Sequence, residues 1–123
     1  MQKRSVILLG HGSKSEAAID DFNYVVETLR SKLGMENVYG AHMELAGPSL
    51  ENLVAELHAK GEKQLLIIPY FLFNGNHIKK DIPAIIAQLE NKYPDLDIVF
   101  GTPIGKDPMM ADLMLKKIQE TKG

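Results

Sequence analysis

The stretch that most constrains this chain is Val6-Ile7-Leu8-Leu9, which runs directly into Gly10-His11-Gly12-Ser13. Four consecutive apolar residues, β-branched at the start, leave no polar face for water. They read as a strand covered on both sides, as in the middle of a parallel sheet. A second such run, Gln64-Leu65-Leu66-Ile67-Ile68-Pro69-Tyr70-Phe71-Leu72, reads as another central strand. Pro69 has no donor and marks where sheet pairing stops.

The segments between carry helical spacing. Ser13-x-x-Glu16 has the form of a capping box. Phe22, Val25, Val26, Leu29 and Leu33 then follow on one stripe, up to a C-cap at Gly34. Residues 37–45 read as a strand. Gly47-Pro48 opens a second helix with proline in its first turn, with Leu50, Leu53, Val54 and Leu57 facing inward and Gly61 ending it. A third helix begins near Asp81, with Pro83 in its first turn and Ile82, Ile85, Ile86 and Leu89 inward. Pro94 breaks the chain before a strand over 96–100. Asp107-Pro108 caps a final helix carrying Met110, Leu113, Met114 and Ile118.

Four successive βα units predict an α/β fold. We expect a single three-layer domain over residues 1–123, with a four-stranded parallel sheet and right-handed crossovers. With the two most apolar strands in the middle, the order is 2-1-3-4, a flavodoxin-like half unit. Ligands of such sheets bind at the carboxyl edge, where the strand order reverses. His11 follows one central strand and His77 the other. Two histidines distant in sequence should therefore face one cleft. Glu44, at the carboxyl end of the second strand, either adds a carboxylate there or caps the next helix. His58 reads as a polar surface residue, and His42, alternating with Met43, as packing or rim.

Composition narrows the chemistry. Net charge is −2, so no general basic field invites nucleic acid. There are no cysteines, which removes disulfides, iron–sulfur clusters and thiolate zinc sites and leaves imidazole and carboxylate as metal ligands. No run is long enough to span a membrane. Lys3 and Arg4 precede only a short apolar run without a cleavage site, so the cytoplasm is expected. The nucleophile elbow G-x-S-x-G and both glycine-rich phosphate fingerprints are absent.

Three segments carry a family resemblance: 9–13 (Leu-Gly-His-Gly-Ser), 43–49 (Met-Glu-Leu-Ala-Gly-Pro-Ser), and 69–83, from Pro69 through Gly75-Asn76-His77 to Asp81-Ile82-Pro83. Together they resemble the class II chelatases, and within them the sirohydrochlorin chelatases that insert cobalt, nickel or iron. The resemblance spans nearly the whole chain. It implies that His11 and His77 are the metal-binding and catalytic pair, with the acidic residue Glu44 near the metal. It implies a divalent metal as substrate, Co²⁺ foremost, then Ni²⁺ or Fe²⁺, and no permanent cofactor. Longer relatives carry the unit twice, so this single copy is expected to work as a homodimer. For a tetrapyrrole rich in carboxylates, Gly10, Gly12, Ser13, Gly75 and Asn76 would supply loop backbone. Lys14, Lys79 and Lys80 would supply charge, and Phe71, Leu72 and Phe73 an apolar wall. A carrier that binds metal or tetrapyrrole without chemistry is the other reading.

Overall fold

A computed structural model describes residues 4–73, 75 and 80–121. Four strands and four helices alternate: β1 (Ser5–Gly10), α1 (Glu16–Leu33), β2 (Val38–His42), α2 (Leu50–Ala59), β3 (Gln64–Pro69), α3 (Ile82–Lys92), β4 (Asp97–Phe100) and α4 (Pro108–Glu120). All pairs are parallel and the sheet order is β2-β1-β3-β4, as expected. Each face of the sheet carries its own core. On one side Ile7, Leu9, Leu65 and Ile67 pack against Leu50, Val54 and Leu57 of α2 and Ile82, Ile86 and Leu89 of α3. On the other, Leu8 and Val38 pack against Phe22 and Val26 of α1. Ile7, Leu9, Leu65 and Ile67 are fully buried. Each such side chain contributes about 1.5–3 kcal/mol of transfer free energy.

Several boundaries differ from the sequence expectation, and each difference has a local cause. Helix α1 is capped by Ser15, whose Oγ accepts from the Ala18 N–H at 3.3 Å, and not by a box at Ser13. Ser13 Oγ instead accepts from Ser15 N–H at 3.0 Å, two residues ahead of the capping position. Gly47-Pro48 lies outside α2, with a cis peptide bond. The Pro48 carbonyl is taken by the His42 N–H at 2.9 Å, and Ser49 caps the helix by accepting from Asn52 N–H at 3.1 Å. Strand β2 stops at His42 because the chain turns at Leu45, where φ is 69°. Strand β3 stops at Pro69, and the Phe71 and Leu72 carbonyls accept from Ile104 and Gly105 N–H beyond the sheet. Helix α2 ends at Ala59 with Lys60 as its C-cap, one residue before Gly61. The apolar residues of α4 stay at the surface: Leu113, Met114 and Ile118 are exposed, and no residue of this helix is buried.

Polar side chains tie the amino end of the sheet. Glu62 accepts from the Ser5 hydroxyl and, at 3.0 Å, from the Tyr39 hydroxyl. Burial, then the Glu62 contact, pushes the Tyr39 phenol up to about 12. His58 meets Asp95 at 2.8 Å and stacks against Tyr93, so this histidine belongs to a helix-to-loop clasp far from the carboxyl edge. Among the described residues no helix is long and apolar enough to cross a membrane.

The ring of Phe22 lies over two glycines on neighbouring strands. A Cβ on Gly10 would come within 2.8 Å of Phe22 Cε1, and one on Gly40 within 2.7 Å of Cε2. The two strands hold opposite edges of the ring, so it cannot retreat from one without meeting the other. Gly40→Ala should therefore cost about 1–3 kcal/mol by overpacking. Urea unfolding of the variant measures this; an unchanged midpoint would mean that the ring is free to shift.

Candidate functional site

The loops that follow β1 and β2 are in backbone contact. Met43 N–H donates to the Gly10 carbonyl at 2.9 Å, and Glu44 N–H donates to the His11 carbonyl at 3.2 Å. The Glu44 carbonyl passes so close to Gly12 that a Cβ there would stand 1.7 Å from its oxygen, and Gly12 itself has φ of 106°. Only glycine meets both conditions. His11 and Glu44, far apart in the chain, thus sit on one edge, and both are exposed. From the third strand's loop, half-buried Phe71 brings its ring centroid to 6.1 Å from that of His11.

Beside His11 is a cavity of about 230 Å³. Gly10, His11, Gly12 and Ser13 form one wall, Ala18, Ile19 and Phe22 of α1 the second, and His42 and Tyr70 the third. A larger hollow of about 560 Å³ opens at the opposite, amino end of the sheet, among Ser5, Asn37, Glu62 and Asp97. Parallel sheets bind ligands at the carboxyl edge, so the smaller cavity is the relevant one. The loops that follow β2 and β3 carry open apolar side chains: Leu45 is 56% exposed, Leu72 52% and Phe73 70%. Lys14, Gly75 and Lys80 are exposed on loops or a helix entry.

The structure therefore brings together Gly10, His11, Gly12, Ser13, Glu44 and Phe71. His77, Asn76 and Lys79 lie outside the described residues. Among the described residues no three histidine or acidic side chains converge on one point. Sequence reasoning did not place His42, Phe22 or Tyr70 at the cavity. Strand parity carried the signal. Val38, Gly40 and His42 share one face of β2, the face on which Phe22 lies.

The family model described as CbiX matches residues 5–121. The sirohydrochlorin cobaltochelatase of Methanosarcina acetivorans is 29% identical over 128 aligned positions, covering 97% of both chains. The sirohydrochlorin ferrochelatase of Priestia megaterium is 27% identical over 95% of this chain, of which this chain spans 44%. Among solved structures, a cobalamin-biosynthesis CbiX protein from Marinobacter aquaeolei superposes with a TM-score of 0.83 at 34% identity, covering 96% of each chain. The sirohydrochlorin chelatase SirB of Bacillus subtilis, solved in complex with cobalt, gives 0.89 at 25% identity over 98% of this chain and 51% of its own. The chain thus spans about half the length of the ferrochelatase relatives and of SirB, and nearly all of the archaeal cobaltochelatase.

His42 gives the site a pH dependence in stability. Its ring is 5% exposed, and burial holds its pKa below the ordinary histidine value. The unfolded chain then binds a proton more readily than the folded one, so stability rises with pH across that interval. It should fall as pH drops through about 6.5, where the unfolded imidazole charges. Urea midpoints at neutral and mildly acid pH test this. His42→Phe should flatten the slope relative to the parent chain; an equal slope in the variant would assign it to other groups.

Proposed function

This chain belongs to the CbiX family, and from that footing we propose that it inserts a divalent metal ion, Co²⁺ foremost, into sirohydrochlorin. What carries the reading is the pairing of His11 with Glu44 through the crossed loop backbones, with exposed apolar side chains on the loops after β2 and β3, at the carboxyl edge of the sheet. Cobalt is favoured over iron because the relative of matching length is a cobaltochelatase, whereas the ferrochelatase relative is about twice as long. Nickel suits the same ligands, as does iron.

In the proposed reaction the metal enters the ring and two pyrrole N–H protons leave, so that M²⁺ and the metal-free macrocycle give the metallated ring and two protons. His11 and His77 hold the ion as neutral imidazoles, and Glu44 adds a carboxylate. Imidazole and carboxylate bind these metals while letting them go more readily than thiolates would. One imidazole also accepts a pyrrole proton, a role suited to a group that titrates near neutrality. Phe71, Leu72 and Phe73 lie against the flat face of the ring. Loop amides at Gly10, Gly12, Ser13, Gly75 and Asn76, with Lys14 and Lys79, meet its carboxylates.

The proposal includes a two-fold homodimer. One unit supplies one wall of a cleft, and a broad macrocycle needs two. Helix α4 offers the surface: Met109 is 74% exposed, Ile118 66% and Met114 54%. Between α1 and α4 an apolar groove of about 460 Å³ runs past Leu29, Ile68 and Met110. A second copy is the occupant that matches relatives of twice the length, and isologous pairing is the commonest symmetric arrangement.

Absorbance of sirohydrochlorin mixed with Co²⁺ and purified protein should change faster than without protein. His11→Ala and His77→Ala should each lose most of that acceleration, about a hundredfold for a lost ligand or base, while keeping the parent's unfolding curve. Full rates in both variants would overturn the roles given to them; binding without turnover in the parent would favour a carrier. Light scattering at micromolar concentration should give twice the mass of one chain, and a monomer working at full rate would refute the shared cleft.

A further inference from the structure

His42 stands at the carboxyl end of β2, paired in register with Gly10. It is nine-tenths buried or more, at 5% exposure, and it helps to wall the cavity beside His11. Its ring lies 4.8 Å from that of Phe22, tilted by 48°. The Nδ1 atom is buried and has no hydrogen-bond partner. A phenylalanine or leucine would fill this space and leave no polar atom unpaired. An unpaired buried nitrogen costs stability, so the folded chain holds an imidazole where packing alone gives no reason for one.

The cavity indicates what would satisfy it. At about 230 Å³ it is too small for a macrocycle, and it suits a short chain of carbon atoms ending in a polar group. Ala18, Ile19, Phe22 and Tyr70 give it apolar sides, and Ser13 stands in its wall. A half-turn of the His42 ring about Cβ–Cγ exchanges Nδ1 with Cδ2 at no change in volume. The N–H of a neutral imidazole can then be presented on either side of the ring.

We propose that this cavity takes one carboxylate-bearing side arm of the macrocycle, and that His42 binds that arm by donating a ring N–H to its carboxylate. The inference rests on the chelatase reading above and deepens it: His42 selects and orients the substrate, and holds no metal.

Steady-state insertion of Co²⁺ into sirohydrochlorin, with parallel Co²⁺ titration, tests it in the parent, His42→Phe and His42→Gln. Losing a charge-assisted hydrogen bond should raise KM for the tetrapyrrole roughly tenfold or more in His42→Phe, with kcat and Co²⁺ affinity close to the parent's. His42→Gln, which keeps an N–H donor, should recover much of the KM. Methyl-esterified sirohydrochlorin should weaken binding to the parent by more than it does to His42→Phe. An unchanged KM in His42→Phe overturns the inference and leaves the chelatase reading standing. A loss of Co²⁺ affinity that accompanies the KM change also overturns it, because His42 would then be a metal ligand. If His42→Phe does not fold, a His42→Gln variant that folds but is no better than His42→Ala in KM overturns it. A parent protein that neither binds nor metallates sirohydrochlorin overturns both readings.

Discussion

The carboxyl edge of this protein depends on one close approach, that of the Glu44 carbonyl to the Cα of Gly12. With any side chain at position 12 the two loops would have to part, because a Cβ would sit 1.7 Å from a backbone oxygen. Parting them would lose the hydrogen bonds from Met43 and Glu44 to the carbonyls of Gly10 and His11. Those bonds extend the β1–β2 ladder past the last formal strand residues and carry it into the loops. His11 and Glu44 are therefore held by sheet-like backbone pairing, which is stiffer than side-chain contact between free loops.

Beneath that edge the sheet is supported unequally. Helices α2 and α3 cover one face with a continuous core. On the other face α1 covers β1 and β2 through Phe22 and Val26, while α4 stands off β3 and β4 and buries none of its residues. Val99 of β4 is 41% exposed for the same reason. A domain of this size needs most of its apolar surface covered. An uncovered helix with methionine and leucine along it stays open to association.

The two ends of the strands differ in kind. At the amino end, polar groups satisfy one another: Ser5 and Tyr39 on Glu62, Arg4 on Asp97, and His58 and Lys63 on Asp95. The His58 contact, first, and then Lys63 hold the Asp95 carboxyl below the ordinary range. These pairs are exposed or partly so and contribute little each. At the carboxyl end, Leu45, Leu72 and Phe73 are exposed on the loops, and the buried nitrogen of His42 lacks a partner. A satisfied end and an unsatisfied end distinguish scaffold from site in this chain.

The order of elements, the parallel sheet and the 2-1-3-4 arrangement were legible from the residues alone. Unbroken apolar runs at 6–9 and 65–68 can only be central strands, and helical stripes between them force crossovers. That His11 and Glu44 share an edge followed from the same topology. Strand ends, caps and depth were not legible. Ser15 rather than Ser13 caps α1, and β2 ends at His42, because a strand or helix end depends on which backbone groups find partners once the chain is packed. His42 reads as packing or rim from its alternation with Met43, and the structure decides for packing, buried beside His11. Periodicity tells which face of a strand a residue takes, and only the packed tertiary structure decides what stands across from it.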